Sequence, residues 1–432
     1  MKKNAFTLVE LLAVIAILTI IMVISVPQLI TSLKNKKTDA LEKTKDLLIS
    51  AARNYVIDYE LKVPTSISIE TLCKNDYLEC PIKNPIDNSN LNGYVNVDDN
   101  KVYVYSDTRD YITIRDYIID LYNDESLRTS NGLKKDNTVD TNIRYYGSDP
   151  NNYVSFNNEL WRIIGVFGNN VKLVRSEKLG NLSWDSSESS VNSGWGVNEW
   201  SQSDLKNYLN TMYYGGAEVT CYGGRNNTTT TCPTNKLDDA SKTLIDNHIW
   251  NTGAIDVTDT TIVNQETFAL NTVPFYKTER GTVNGKICSS GDYCNDTVTR
   301  KTEWTGYIGL PYVTDWAYAS GESICETNMN AGYNATASSD DEALANMTCK
   351  KNNWMHHGTT TDIEDATWFM SPLAYPVSAG NVWSVVGGGL AGGNSNAAYP
   401  HSAFPTIYLK SNILIESGKG TSDNPYILKA GS

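Results

Sequence analysis

Phe6 to Val26 is an almost unbroken apolar run whose single charge is Glu10, and it follows the short basic segment Met1-Lys2-Lys3-Asn4-Ala5. As a helix rising 1.5 Å per residue it would extend about 31 Å, the thickness of a bilayer hydrocarbon core, so a membrane-crossing helix is expected. The two lysines would hold its start inside the cell. Ordinary signal cleavage is disfavoured, because the run ends Ile24-Ser25-Val26-Pro27-Gln28 with no small-x-small site. A plain anchor leaves Glu10 unexplained. A carboxylate placed in lipid costs about 2.5 to 3.5 kcal/mol on insertion scales and generally has a functional partner.

The segment Lys3-Asn4-Ala5-Phe6-Thr7-Leu8-Val9-Glu10-Leu11-Leu12 resembles the class III signal of type IV pilins and type II secretion pseudopilins. The resemblance implies cleavage by a prepilin peptidase between Ala5 and Phe6, N-methylation at Phe6, and Glu10 as the fifth residue of the mature chain. In a filament, the Glu10 carboxylate of one subunit would neutralise the Phe6 amine of its neighbour, offsetting the burial of both charges. The family usually has Gly before the cut, where this chain has Ala5. Pro27 matches a family position where the helix bends or melts; read from the residues alone, it ends the span.

Beyond Pro27, Leu41, Leu48, Ala52, Tyr55 and Tyr59 recur at helical spacing among Lys, Asp and Glu, predicting an amphipathic stalk that ends by Val63-Pro64. Tyr94 to Tyr105 alternates, turns at Asp98-Asp99-Asn100 and alternates again, a β-hairpin pattern. Thr113 to Leu121 reads as a further helix. Residues 129–141 are polar and are expected as a linker. The predicted organisation is a leader at 1–5, a membrane or filament-core helix at 6–27, a stalk helix at 28–62, a small pilin-like region at 63–128, the linker at 129–141 and a large β-rich domain at 142–432. The fold class is α+β.

In the large region, Asn152 to Phe156, Glu159 to Phe167 and Val171 to Ser176 predict a three-stranded meander. Ser201 and Asp204 suggest a capping box ahead of Leu205. Leu237 to Trp250 is periodic and suggests a helix. Trp304 to Tyr318, Trp368 to Leu373 and Asn381 to Val386 read as aromatic strands around a Gly-rich loop at Gly387 to Gly393. The segments Tyr153 to Gly165, Val171 to Arg175, Trp368 to Pro372 and Ile407 to Tyr426 resemble bacterial surface domains often fused to pilin leaders, which implies a C-type-lectin-like or formylglycine-enzyme-like fold. Where that pattern has Arg-Pro before the last strand, this chain has Phe404-Pro405.

All eight cysteines follow the expected span, at positions 73, 80, 221, 232, 288, 294, 325 and 349. An even count in an exported chain points to disulfides, and short separations favour Cys73 with Cys80, Cys221 with Cys232, Cys288 with Cys294, and Cys325 with Cys349. Reduced, buried thiols are the alternative. No cofactor or metal site is predicted: no cysteine pair has zinc-knuckle spacing, the adjacent His356 and His357 point different ways, and Asp98-Asp99 and Asp340-Asp341-Glu342 read as solvated turns. Phosphate-loop, dinucleotide-binding, nucleophile-elbow and zincin motifs are missing, so enzyme activity is not expected. Thirty-six basic against forty-nine acidic residues, a net charge of −13, oppose general attraction to nucleic acid.

These readings converge on a prepilin, single-pass in the membrane before assembly and then displayed outside in a pilus or pseudopilus-like filament. Expected partners are the prepilin peptidase, other pilin subunits, the inner-membrane assembly platform and a surface glycan or protein met by an adhesive head. One alternative is a pseudopilin of a secretion or competence system, for which a small head would be expected. Another is an anchored binding protein or enzyme that does not assemble.

Overall fold

The computed structural model describes residues 8–187, 192–264, 266–280, 300–357, 366–373, 380–386 and 389–431; within these, the side chains at 20–31, 192, 340–341, 386 and 389–394 are left undescribed. Two compact units are present, one formed by residues up to Ile112 and the other by Thr113–Ala430.

The first unit is organised on α1 (Leu8–Asp58), a helix of 51 residues that continues without a break through Pro27. Thr38, Thr44 and Ser50 each donate to the carbonyl four residues back without disturbing it. Leu48, Ala51, Ala52 and Val56 form one buried stripe. The helix stops before Pro64. Glu60 takes a left-handed conformation at φ 48°, and Leu61 N–H closes onto Val56 O at 3.0 Å, a Schellman turn that satisfies the terminal carbonyls without glycine.

The stripe packs with β1 (Thr65–Ser68), α2 (Ile69–Lys74), β2 (Tyr94–Val97) and β3 (Tyr103–Ser106). The predicted hairpin is present as the antiparallel pair β2/β3. Within its turn Asp98 accepts the N–H groups of Asn100 and Val102, so this acid fixes backbone. Strand β1, absent from the sequence-based expectation, completes a sheet of order β1-β2-β3.

The division between units falls ahead of the segment 129–141 expected as a linker. α3 (Ile114–Asn123) is capped by Thr113, whose side chain accepts Asp116 N–H at 3.1 Å. Its Ile114, Ile118 and Leu121 lie in the main core of the large unit. The segment 129–141 itself is structured: it holds the end of α4 (Glu125–Ser130) and β4 (Leu133–Lys135), which pairs with β5 (Ile143–Tyr145). Within it Asp136 is buried and paired with Arg144, while Lys135, Asn137, Val139 and Asp140 are exposed.

The meander is present as β6 (Tyr153–Phe156), β7 (Glu159–Phe167) and β8 (Asn170–Arg175). Asn157 and Asn158, both at positive φ, make the two-residue turn that joins β6 to β7 with the right twist. β9 (Asn181–Ser183) follows, and then α5 (Asp204–Asn207). The cap of α5 is Ser203, which accepts Lys206 N–H, and not Ser201, which instead bonds Glu199. β10 (Cys221–Tyr222) and β11 (Thr229–Thr230) form a short hairpin.

The periodic stretch 237–250 is helical only in α6 (Asp239–Leu244); its end is β12 (His248–Asn251), which pairs with β13 (Glu303–Gly306) because Trp250 fills a buried site opposite Trp304. After α7 (Thr272–Glu279), the run 304–318 contains β13 and β14 (Ile308–Gly309) but turns helical in α8 (Val313–Ala319), every residue of which is buried. α9 (Asp340–Ala345) starts at the Ser339 cap, so the acidic triplet opens a helix.

β15 (Thr367–Pro372) and β16 (Asn381–Val386) match expectation, but the Gly-rich stretch is strand from Gly389 onward: β17 (Gly389–Asn396) pairs with β16. β18 (Pro400–Ser402), β19 (Thr406–Leu409), β20 (Ile413–Ser417) and β21 (Tyr426–Ala430) complete the unit. The main sheet runs β14-β19-β8-β7-β6-β21-β20 with β4 and β5 attached through β7, and a second sheet runs β17-β16-β15-β18-β9. Helices and mixed sheets together make the fold α+β. Seven of the ten tryptophans are fully buried, which places most of the aromatic content in the core.

Candidate functional site

Among the described residues, two places that gather chemistry-bearing side chains stand out, one in each unit. The first is the start of α1. Glu10 sits in its opening turn and is exposed. Around it Leu8 and Val9 are 75% and 74% exposed, and Leu11, Leu12, Ile15, Ile17 and Leu18 are also exposed. A contiguous exposed apolar surface of this kind is uncommon on a protein in water. Ala5 and Phe6 lie outside the described residues, as does the side chain of Pro27. Among the described residues no helix is long and apolar enough to cross a membrane; the expected span 6–26 extends into residues whose side chains are not described.

The second place was not anticipated from the sequence. It is a buried ionic cluster inside the large unit. The turn after β4 aims Asp136 inward, where its carboxylate accepts from Thr138, Asn142 and Arg144 Nε. Arg144, central on β5 and 1% exposed, also donates Nη1 to Asp315 Oδ1 at 2.8 Å. The other oxygen of Asp315 accepts Tyr312 N–H at the start of α8 and the ammonium of Lys172 on β8. Glu279, at the end of α7, accepts from Thr314, Ser371 and Arg280. Aromatic rings enclose the charges: Phe167, Trp250, Tyr312 and Tyr408 around Lys172, and Phe167, Tyr276 and Tyr318 around Arg144.

Three cations, Arg144, Lys172 and Arg280, therefore face three anions, Asp136, Asp315 and Glu279. Burial pushes the Lys172 amine down to about 8 against the pull of Asp315. Burial opposes ionisation of Asp315, yet Lys172, Arg144 and Arg280 hold its carboxyl well below the usual range. Burial raises Glu279. Paired charges at this depth are stable only as a set, since removing one strands another. A sequence signal existed: Lys172 interrupts the apolar strand Val171-Lys172-Leu173-Val174, where a lone lysine must find a buried acid.

Disulfides join Cys73 to Cys80, Cys221 to Cys232 and Cys325 to Cys349. Cys288 and Cys294 lie outside the described residues. No group of three or more His, Cys, Asp or Glu among the described residues is placed to hold a metal. Phe404, where the resemblance has Arg, is buried against the His357 ring, and Pro405 O accepts Arg175 N–H. That position therefore serves packing and strand pairing.

Residues 1–26 match the family model described as the prokaryotic N-terminal methylation motif. No curated protein and no solved structure matches the chain. The chain thus carries a prepilin-type signal of the type IV pilin and pseudopilin kind, which implies processing by a prepilin peptidase and assembly among pilins in general.

Proposed function

We propose that the chain is a prepilin that is cut between Ala5 and Phe6, methylated at Phe6 and assembled through α1 into a surface filament that carries the Thr113–Ala430 unit outward as an adhesive head. The matched motif at residues 1–26 is the observation that carries this reading. The bare apolar stripe from Leu8 to Leu18 supports it, because such a surface needs lipid before assembly and neighbouring helices afterwards. The inner-membrane platform would extract the subunit. A glycan or protein on another surface would be the target of the head, and no catalytic step is assigned to it.

Mass spectrometry of the mature N-terminus tests the processing: a methylated Phe6 is expected, and an intact Met1 or a cut near residue 27 rejects it. Assembly is tested by Glu10→Ala. Leaving the Phe6 amine buried without its partner costs about 3 to 5 kcal/mol per contact, so filaments should vanish from the sheared surface fraction while the cell-associated chain persists. Undiminished filaments would remove the assembly role of Glu10.

A further inference from the structure

Lys172 and Asp315 are 143 residues apart in sequence, yet the Lys172 ammonium donates directly to Asp315 Oδ2 with both side chains fully enclosed. We propose that these two side chains are joined by an intramolecular amide bond between Lys172 Nζ and Asp315 Cγ, formed with loss of one water.

Three observations support it. First, an amine and a carboxyl in water are kept apart by the hydration of their charged forms. Here that hydration is gone, since Phe167, Trp250, Tyr312 and Tyr408 surround the amine, and the two groups are already held at reacting distance. Burial lowers the affinity of Lys172 for its third proton, which brings the nucleophilic amine within reach. Second, Arg144 Nη1 lies 2.8 Å from Asp315 Oδ1, the oxygen on which negative charge develops when nitrogen attacks Cγ. Third, the cluster stays balanced afterwards. Converting Lys172 and Asp315 to a neutral amide leaves Arg144 with Asp136 at 2.7 Å and Arg280 with Glu279 at 3.2 Å, each cation with its own anion. No charge is stranded by the reaction.

The step closes on its own atoms. One ammonium proton passes to Oδ2 across the existing contact, giving amine and carboxylic acid. The nitrogen lone pair then forms the bond to Cγ, with the displaced π electrons on Oδ1. A second nitrogen proton passes to Oδ2, the Cγ–Oδ2 bond breaks, and Oδ2 leaves as water while the Oδ1 carbonyl reforms. No oxidant, reductant or outside group enters. The product would tie β8 in the main sheet to the first turn of α8, a covalent brace across the interior of the large unit.

Peptide mass spectrometry on the full chain in detergent, with disulfides reduced and alkylated, decides the matter. A branched peptide joining the segments around Lys172 and Asp315 is expected, lighter than the two linear peptides together by one water, with trypsin unable to cut after Lys172. Lys172→Arg keeps the charge and should abolish the branched species. Should that variant fail to fold, the wild-type digest alone is sufficient. Recovery of Lys172 and Asp315 only in separate linear peptides of full mass would overturn the proposal. The outcome is independent of whether the chain forms filaments.

Discussion

At the scale of single residues, burial sets the acid response. His401 is 1% exposed, beside Trp368 and Tyr399, and burial pushes its imidazole down from 6.5 to about 4. The folded chain therefore binds this proton less readily than the unfolded chain. Its contribution to stability is fully present above pH 6.5 and is lost as the pH falls toward about 4, on the order of 3 kcal/mol at the full shift. Asp204 has the opposite sign: burial and the neighbouring Asp185 raise it to about 6, so its contribution is present below 3.8 and lost as the pH rises through about 6. His401→Phe should reduce the fall in melting temperature between pH 7 and pH 4.5. An equal fall in variant and wild type would show that His401 does not control it. Glu10 can be singled out in the sequence because one acid in an apolar run stands out. Arg144, Asp315 and Glu279 were not, since their partners come from strands and helices far apart in the chain.

At the scale of elements, local pattern foretold those whose partner is adjacent. The β2/β3 hairpin, the β6-β7-β8 meander and α3 all satisfy their backbone within a few residues, announced by the Asp98 turn, the Asn157-Asn158 turn and the Thr113 cap. Errors fall where packing overrides periodicity. Residues 248–251 become strand because Trp250 is wanted in the core, and Gly389–Asn396 becomes strand because β16 offers an open edge. Disulfides brace the less regular parts. Cys325 and Cys349 close a segment of sequence separation 24 made of short helical turns and loops. Replacing both by Ala should cost about 3 kcal/mol by the loop-closure account, seen as a lower urea midpoint. An unchanged midpoint would mean that the bond adds no stability. Both cysteines are fully buried, so replacing the pair together avoids leaving one unpaired buried thiol.

At the scale of the whole molecule, the buried clusters of the described residues follow the division at Ile112/Thr113: Leu48, Leu72 and Val95 belong to one core, while Ile118, Trp161 and Leu173 belong to another. A chain limited to residues 113–430 should therefore fold alone, with one cooperative thermal transition and native near-ultraviolet circular dichroism; a broad, non-cooperative melt would show that it depends on the first unit. What the sequence determined by itself is the prepilin-type motif of the first twenty-six residues, the α+β class and the elements closed by near neighbours, because each depends on composition or on spacing along the chain. Only tertiary structure decided where the units divide, that Asp136 of the polar segment is interior, and that Lys172 meets Asp315. Those outcomes depend on which distant surfaces exclude water together, and that is a property of the packed chain rather than of any stretch of it.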